Sequence, residues 1–434
     1  MTRELRGPQR LRHEPDWLLL LSIVALAALG ILMVYSSSGV PSAISRDDPF
    51  AVVAPQATWA ILGLIAMVVM MRLDYRYLRL ISVAAFVVAL ALLVLVLLPS
   101  MGPIRSIVTN GSARWLQIGP LPSMHPAEFA KIALVIYLAH WLDRRGKRAG
   151  SFFGGLLPFL LIVGPVLLLV LIEPDLGTMG VLALTAFTMF FVAGASLWQL
   201  AALAPIALAA LAYMVVRSDY QMDRIRAFMD PFADPQGLGF HSVQGLLAIG
   251  SGGLFGIGLG ESRQPGALHL PQAQNDFVFA VVGQELGLIG GAIVIGLYLL
   301  FAYRGIKIAM SAPDTFGALM AVGVTAWLTL QAFINIAVVV VLLPITGITL
   351  PFISAGGSSL LVSFAAVGIL LSISRETAPR VVSRSTGVHE NPDRRRRYWR
   401  AHLPGAGRRP LAARTTGLRA SDPSGGGTRE RRPW

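Results

Sequence analysis

Two carboxylic acids, Asp276 and Glu285, belong to one apolar stretch that is long enough to cross a membrane. An ionisable side chain inside or at the mouth of a membrane span is costly, so it is a functional hypothesis by default. Asp276 stands where a polar loop meets the apolar run. The alternative is a purely structural role as the N-cap of the helix. The spacing predicts opposite helix faces for the two acids, which excludes a paired-carboxylate device.

A second pair of charges, Glu128 and Lys131, opens another apolar run. Residues three apart share a helix face, so the two side chains can neutralise each other in a low dielectric. One interpretation is a self-satisfied ion pair; the other is that Lys131 faces a polar cavity and meets an anionic ligand or Asp276. Upstream, Trp115 follows Arg114. A tryptophan at this place is typical of the aromatic belt at a membrane interface. The alternative is that its flat ring, beside the cation of Arg114, stacks on the face of a sugar.

Four further polar residues of the apolar segments favour structural roles. Glu173 and Asp175 flank a proline in a turn between two spans, where Asp175 is placed to cap the following helix. Gln331 and Asn335 are one helical turn apart inside a span, which predicts hydrogen bonds between helices.

Composition determines which elements position these groups. Of 434 residues, 55% are hydrophobic and only 14% are charged, which excludes an ordinary soluble domain. The chain has no cysteine, so disulfides, thiolate metal sites and cysteine nucleophiles are excluded. There is no Walker motif, no HExxH, no histidine pair at metal spacing and no dinucleotide fingerprint, so nothing indicates a nucleotide donor. Nothing in the sequence indicates a nucleic-acid partner.

The predicted fold class is an all-α polytopic membrane protein with about ten transmembrane helices and a large outer loop between helices 7 and 8. Runs of about 18–25 apolar residues cross a bilayer as helices, which satisfy their own main-chain hydrogen bonds in lipid. The predicted spans are 17–38, 53–71, 78–98, 127–142, 155–172, 176–193, 197–216, 277–303, 316–342 and 350–373.

Lysine and arginine in the short loops predict the orientation. With a cytoplasmic N-terminus, the basic residues after the second, fourth and eighth spans and the arginine tail all fall inside. Three segments then lie outside: 99–126, the turn at Glu173 and Asp175, and the loop 217–276. We expect a cytoplasmic N-terminal segment over 1–16, a membrane domain over 17–374, and a disordered, basic cytoplasmic tail over 375–434. That tail either lies on anionic lipid or is simply solvated.

The outer loop 217–276 is too long and too apolar to be an ordinary solvated coil. The stretch 217–229 predicts a short surface helix that ends at Asp230, before a proline. Residues 250–260 form a glycine-rich turn, which is not a phosphate-binding loop because no Gly-Lys-Ser/Thr follows it. We expect the loop to pack onto the outer mouth of the bundle.

Five separated motifs together resemble the SEDS family (shape, elongation, division and sporulation), whose members are the FtsW, RodA and SpoVE proteins of bacteria. The resemblance covers residues 15–375 and is closer to the FtsW/SpoVE branch than to RodA. The motifs are Gly111-Ser-Ala-Arg-Trp115, Pro126-Ala-Glu-Phe-Ala-Lys131, Glu173-Pro-Asp-Leu-Gly-Thr178, Asn275-Asp-Phe-Val-Phe-Ala-Val-Val-Gly-Gln-Glu-Leu-Gly-Leu-Ile-Gly290 and Leu350-Pro-Phe-Ile-Ser-Ala-Gly-Gly-Ser-Ser359.

The resemblance implies a peptidoglycan glycosyltransferase that polymerises lipid II outside the cytoplasmic membrane beside a class B penicillin-binding protein and other division or elongation proteins. The essential aspartate of the family matches Asp276, and its outer-loop tryptophan matches Trp115. Its fourth-span acid and lysine match Glu128 and Lys131. The chain departs from the family pattern where Asn275 replaces threonine, Gln284 replaces glutamate and Ala355 replaces tyrosine. We expect a multi-pass protein with both termini in the cytoplasm, a location at the division septum being consistent with this branch.

On this hypothesis Asp276 is a single general base, because a diphosphate leaving group needs no protonation. Lys131, Arg224 and Arg226 are candidates to hold diphosphate oxygens; the alternative for the two arginines is loop solvation. No cofactor is implied with certainty, and dependence on a divalent cation stays open. Two other function classes stay open as well: a lipid II flippase, which predicts inverted repeats and a midplane site, and a non-catalytic division scaffold.

Overall fold

The computed structural model describes residues 13–46, 50–100, 104–109, 112–119, 122–196, 218–261 and 273–376, with single positions at 48 and between 198 and 217. Within these described ranges, the α-helices before the long loop are α1 (Trp17–Arg46), α2 (Val53–Arg72), α3 (Tyr77–Leu97), α4 (Pro126–Arg145), α5 (Leu157–Ile172) and α6 (Leu176–Val192). The later helices are α7 (Asp219–Met229), α8 (Phe240–Ser251), α9 (Val278–Glu285), α10 (Gly287–Ser311), α11 (Thr315–Val339) and α12 (Gly357–Arg375). The predicted span 197–216 lies largely outside the described residues, as does the tail from 377 onward.

Seven helices within the described residues are long and apolar enough to cross a membrane. They are α1, α2, α3, α5 with the π-turn that precedes it, α10, α11 and α12. Helix α6 is also apolar but shorter, and α4 carries charged residues at both of its ends. The prediction of a helical, multi-pass membrane protein is confirmed, although the described residues do not establish the number ten.

Helices α11 and α12 form the centre of the bundle, because most of their side chains are buried. Helix α12 packs along α2 at two glycines. A Cβ atom at Gly368 would lie 2.4 Å from the carbonyl oxygen of Met67, and one at Gly63 would lie 2.5 Å from the ring of Phe364. Small residues therefore let these two membrane helices approach closely.

The predicted eighth span, 277–303, is wrong in one respect: it is two helices rather than one. Helix α9 ends at Glu285 and α10 begins at Gly287, which has a φ of +67°. The break follows from the positive φ, which favours glycine, and from backbone packed against it: a Cβ at Gly287 would lie 2.4 Å from the amide nitrogen of Gly256. The tenth span is also shorter than predicted, since residues 350–356 form turns before α12.

An antiparallel hairpin lies between α3 and α4, where the sequence analysis predicted only an outer segment. Strand β1 (Ile104–Thr109) pairs with β2 (Ser112–Ile118), and Trp115 stands opposite Ile107. The all-α prediction is therefore incomplete. The signal was present in the sequence, because Asn110-Gly111 follows a stretch rich in β-branched residues and precedes one that carries Trp115 and Ile118, which is a strong hairpin pattern.

The long loop carries two short helices. Helix α7 agrees with the predicted surface helix, and the hydroxyl of Ser218 caps it by accepting a hydrogen bond from the amide of Gln221. Helix α8 packs against the start of α9, since a Cβ at Gly245 would lie 3.2 Å from the ring of Phe277. The loop is thus folded onto the end of the bundle that carries Asp276.

The tight approach of the glycine-rich turn to the α9–α10 break yields a stability prediction. Gly256 has a φ of +83°, and a Cβ there would lie 2.0 Å from the carbonyl oxygen of Glu285. Gly256→Ala is therefore expected to lower the free energy of unfolding by about 2–4 kcal/mol. The measurement is thermal unfolding of the purified protein in detergent.

Gly250→Ala is the matched control, because nothing lies within 4 Å of a Cβ built at that helical position. It is expected to leave stability unchanged or to raise it by up to about 1 kcal/mol. Equal melting temperatures for the two variants would contradict the packing described for the turn.

Candidate functional site

The segment before α9 is held from both sides by side-chain hydrogen bonds to its main chain. The amide group of Asn335 on α11 donates to the carbonyl oxygen of Asp276 at 2.9 Å and to that of Ile348 at 2.8 Å. The hydroxyl of Ser354 donates to the carbonyl oxygen of Asn275 at 2.6 Å. These bonds join α11, the turn before α12 and the Asp276 segment, and they leave the carboxylate of Asp276 for other partners.

Asp276 is not the cap of α9. The N-cap position is Phe277, and no side chain makes a capping hydrogen bond there. The Asp276 carboxylate instead points towards Gly347, where a Cβ atom would lie 3.6 Å from Oδ2 and 4.0 Å from Nη2 of Arg224. Gly347 has a φ of +76°, which favours glycine, so position 347 itself places no side chain against the acid. The carboxylate of Asp276 and the guanidinium of Arg224 therefore both approach Gly347.

The charges around Asp276 set its proton affinity. Burial raises the pKa of Asp276 to about 6, and the nearby carboxylate of Asp175 adds to the rise, whereas Arg224 and Arg114 oppose it. A carboxylate of this kind is ionised at neutral pH and is a stronger base than an exposed aspartate. The site therefore combines a charged acid with a raised affinity for a proton.

The second acid, Asp175, belongs to a neighbouring cluster. One carboxylate oxygen accepts a hydrogen bond from the amide of Thr178 at 3.1 Å and so caps α6, as predicted. The other lies 3.6 Å from Nε2 of His125, whose ring meets Trp115 edge to face at 5.5 Å. Burial lowers the pKa of His125, so the ring is neutral at pH 7. The sequence analysis missed His125, although its place directly before Pro126 and Glu128 was a usable signal.

Arg114 ties the hairpin to the turn between α5 and α6. Its guanidinium donates to the carbonyl oxygen of Glu173 at 3.1 Å and to that of Pro174 at 2.7 Å. The carboxyl group of Glu173 is buried and has no hydrogen-bonding partner among the described residues. Burial raises the pKa of Glu173 to about 8, so this acid is largely uncharged at neutral pH.

Lys131 is buried in the bundle and makes the predicted ion pair. Its ammonium lies 2.8 Å from the carboxylate of Glu128 and 2.8 Å from Oε1 of Gln331, beneath the ring of Trp327. Gln331 in turn donates to the carbonyl oxygen of Thr349 at 2.9 Å. The ammonium therefore supports the non-helical segment that also carries Gly347, and the structure shows no direct contact with Asp276 among the described residues.

The two arginines of α7 differ in their surroundings. The guanidinium of Arg224 lies over the ring of Tyr220 at 4.4 Å and reaches the space around Gly347. Arg226 forms an exposed ion pair with Asp223 at 3.1 Å. Residues two apart on a helix point in different directions, so only Arg224 of the pair faces the acid.

The other predicted acid, Glu285, lies at the far end of α9 and is buried, with the hydroxyl of Ser36 donating to it at 2.6 Å. It is not part of the Asp276 cluster. Among the described residues, no group of three or more histidine, aspartate or glutamate side chains is arranged to hold a metal ion.

Comparison with known proteins agrees with this architecture. A family model for FtsW, RodA and SpoVE, described as "Cell cycle protein", matches residues 16–379. Stage V sporulation protein E of Bacillus subtilis is 43% identical over 84% of this chain and 98% of the relative. The probable peptidoglycan glycosyltransferase FtsW of Trichlorobacter lovleyi is 41% identical over 86% of this chain and 96% of the relative.

Solved structures show the same fold. The chain is similar, with a TM-score of 0.68 and 30% identity, to a chain from "Structural coordination of polymerization and crosslinking by a peptidoglycan synthase complex", covering 83% of this chain and 98% of that one. It is also similar to the rod shape determining protein RodA of Thermus thermophilus, with a TM-score of 0.60 and 29% identity over 84% of this chain and 98% of that one. The chain is a member of the FtsW/RodA/SpoVE family, with relatives of the FtsW and SpoVE type among its matches.

Proposed function

We propose that this protein is a peptidoglycan glycosyltransferase that polymerises lipid II and releases undecaprenyl diphosphate, with Asp276 as its general base. The observation that carries the proposal is that the Asp276 carboxylate and the Arg224 guanidinium both approach Gly347, with Arg224 lowering the pKa that burial raises. Its raised pKa suits a group that must accept a proton near neutral pH. The names of the FtsW relatives support the same reaction class.

In the proposed reaction, the 4-hydroxyl of one lipid-linked disaccharide attacks the anomeric carbon of a second. The new glycosidic bond forms as the bond to the diphosphate oxygen breaks, and the electron pair of that bond leaves with the diphosphate. The hydroxyl proton passes to the Asp276 carboxylate and then to water. One base is sufficient because a diphosphate is a good leaving group without protonation.

The diphosphate needs a cation that is not already neutralised, and Arg224 suits this role better than the other candidates. Its guanidinium approaches Gly347, as the Asp276 carboxylate does. Lys131 is buried against Glu128 and Gln331, and Arg226 is paired with Asp223 at the surface. We therefore assign Arg224 to the diphosphate, Lys131 and Glu128 to support of the non-helical segment, and Trp115 to one wall of the site.

We further propose that the Asp276 end of the bundle faces the outside of the cytoplasmic membrane and that both termini are cytoplasmic. The supporting observation is that basic residues gather at the other end of the helices, at Arg72, Arg76, Arg144, Arg145 and Arg304. Lipid II would then meet the site from the outer leaflet. A class B penicillin-binding protein is the proposed partner, because a chain of similar fold comes from a peptidoglycan synthase complex that couples polymerization and crosslinking.

The base assignment predicts the effect of an isosteric substitution. Asp276→Asn removes the proton acceptor and is expected to lower the polymerisation rate on lipid II by about 10²–10⁴-fold. The measurement is glycan-strand formation by the purified protein together with its transpeptidase. Glu173→Gln is the matched control, because that buried carboxyl is largely uncharged at neutral pH and is expected to tolerate the neutral amide. Near-normal turnover of Asp276→Asn would remove the assignment.

The surroundings of Asp276 also predict a pH dependence. A base must be deprotonated, so kcat/KM is expected to fall as the pH drops through about 6, the raised pKa of Asp276. Arg224 holds that pKa down, so Arg224→Gln is expected to raise it and to move the acid limb of the profile to higher pH.

Arg226→Gln is the control for that experiment, since Arg226 is paired with Asp223 at the surface. Its acid limb is expected to coincide with that of the unmodified protein. An acid limb that stays in place in Arg224→Gln, or that shifts equally in both variants, would contradict the proposed electrostatics.

A further inference from the structure

Glu285 is a carboxyl group buried to 1% exposure inside the membrane bundle, and the reaction proposed above does not use it. The hydroxyl of Ser36, itself buried on α1, donates to Oε1 at 2.6 Å and lies close to Oε2 as well. The amide of Gly260 donates to the same hydroxyl oxygen at 3.1 Å. Helix α1, the end of α9 and the glycine-rich turn therefore meet at one buried polar junction.

The glycine-rich turn begins at residue 252 in the structure, because α8 extends to Ser251, and it reinforces this junction through its main chain. Main-chain amides of the turn donate to carbonyl oxygens of α9, from Ile257 to Gln284 at 3.0 Å and from Gly258 to Glu285 at 3.2 Å. Main-chain amides of α10 donate to carbonyl oxygens of the turn, from Leu288 to Gly253 at 2.9 Å and from Ile289 to Leu254 at 3.2 Å. The turn thus bonds both sides of the break between the two helices. Main-chain polar groups at the break, which lack partners within either helix, are therefore hydrogen-bonded by the turn.

The consequence for the active-site end lies in the length of α9. This helix has only 8 residues, so it is a rod of about 12 Å, with Asp276 two residues before its first residue and Glu285 as its last. The break at Gly287 frees α9 from the direction of α10. Its front is held by Asn335 and Ser354, and its rear by the Ser36 junction. A shift at the rear therefore moves the segment that carries the carboxylate of Asp276.

We propose that Glu285 is a positioning residue, which, through Ser36 and the glycine-rich turn, fixes the direction of α9 and thereby the place of the Asp276 carboxylate. This inference rests on the proposed function, because it assigns Glu285 a role towards the proposed base. Burying an acid in a membrane helix is energetically costly. Glu285 accepts a hydrogen bond at a junction of three separate elements, which an apolar side chain could not do.

The test compares Ser36→Ala, Glu285→Ala and Glu285→Gln in lipid II polymerisation. The two alanine variants are expected to lower kcat by about 10²-fold, the loss typical of a catalytic group displaced by ~1 Å, with KM within about twofold of normal. Glu285→Gln keeps an oxygen that accepts the Ser36 hydrogen bond, so its kcat is expected to recover to within about threefold of normal. In an Asp276→Asn background, Glu285→Ala is expected to cause no further loss.

Hydrogen exchange supplies a readout that needs no activity. Amides of α9 are expected to exchange faster in Ser36→Ala and Glu285→Ala, while those of α12 stay unchanged. Ser363→Ala is the matched control, because that buried serine on α12 has no hydrogen-bonding partner among the described residues and is expected to leave kcat and α9 exchange as they are.

Two outcomes would overturn the positioning role while leaving the proposed function intact: normal kcat in both alanine variants beside an inactive Asp276→Asn, or equal losses in Glu285→Gln and Glu285→Ala. A loss shared with Ser363→Ala, or exchange that rises across the whole bundle, would show a merely structural role and would overturn it too. Normal turnover of Asp276→Asn alone would instead refute the proposed base, and the exchange measurement would still report whether Glu285 fixes α9.

Discussion

The structure of the site depends on one pair of hydrogen bonds, from the amide group of Asn335 to the carbonyl oxygens of Asp276 and Ile348. Both carbonyls belong to non-helical segments at the end of a membrane bundle, where unsatisfied main-chain groups are expensive. A single side chain on the buried helix α11 therefore brings together two segments that are far apart in sequence. Ser354 and Gln331 extend the same arrangement to Asn275 and Thr349.

With those segments fixed, the charged side chains near them fall into two groups. The deeper charges, Glu128 and Lys131, neutralise each other and stiffen the backbone that carries Gly347. Two cations lower the pKa of Asp276: Arg224, on a short helix of the loop, and to a smaller extent Arg114. A base with a raised pKa and a nearby cation suit the proposed transfer of a sugar from a diphosphate.

The sequence was sufficient to predict the helical membrane fold and the cap at Asp175, because each rests on local spacing or on hydropathy. It offered the ion pair of Glu128 and Lys131 as one of two interpretations, and the structure shows that pair. It did not predict that α9 and α10 are separate helices, because the apolar run resumes directly after Gln284 and Glu285 and the break arises from packing against a turn some thirty residues earlier. The contact of Arg224 with the Asp276 region, and the place of His125 beside Asp175, also depend on tertiary structure. The hairpin was predictable from Asn110-Gly111 but was overlooked beside the much stronger signal of the membrane helices.

The absence of cysteine from the chain allows the most direct test of the central claim, that a carboxylate at position 276 is the proton acceptor. Asp276→Cys removes the carboxylate and introduces one thiol, which iodoacetate converts to a carboxylate and iodoacetamide to a neutral amide of similar size. We expect lipid II polymerisation to be lost in Asp276→Cys, to return in part after iodoacetate and not to return after iodoacetamide. Full activity of the unmodified cysteine variant, or equal recovery with both reagents, would contradict it.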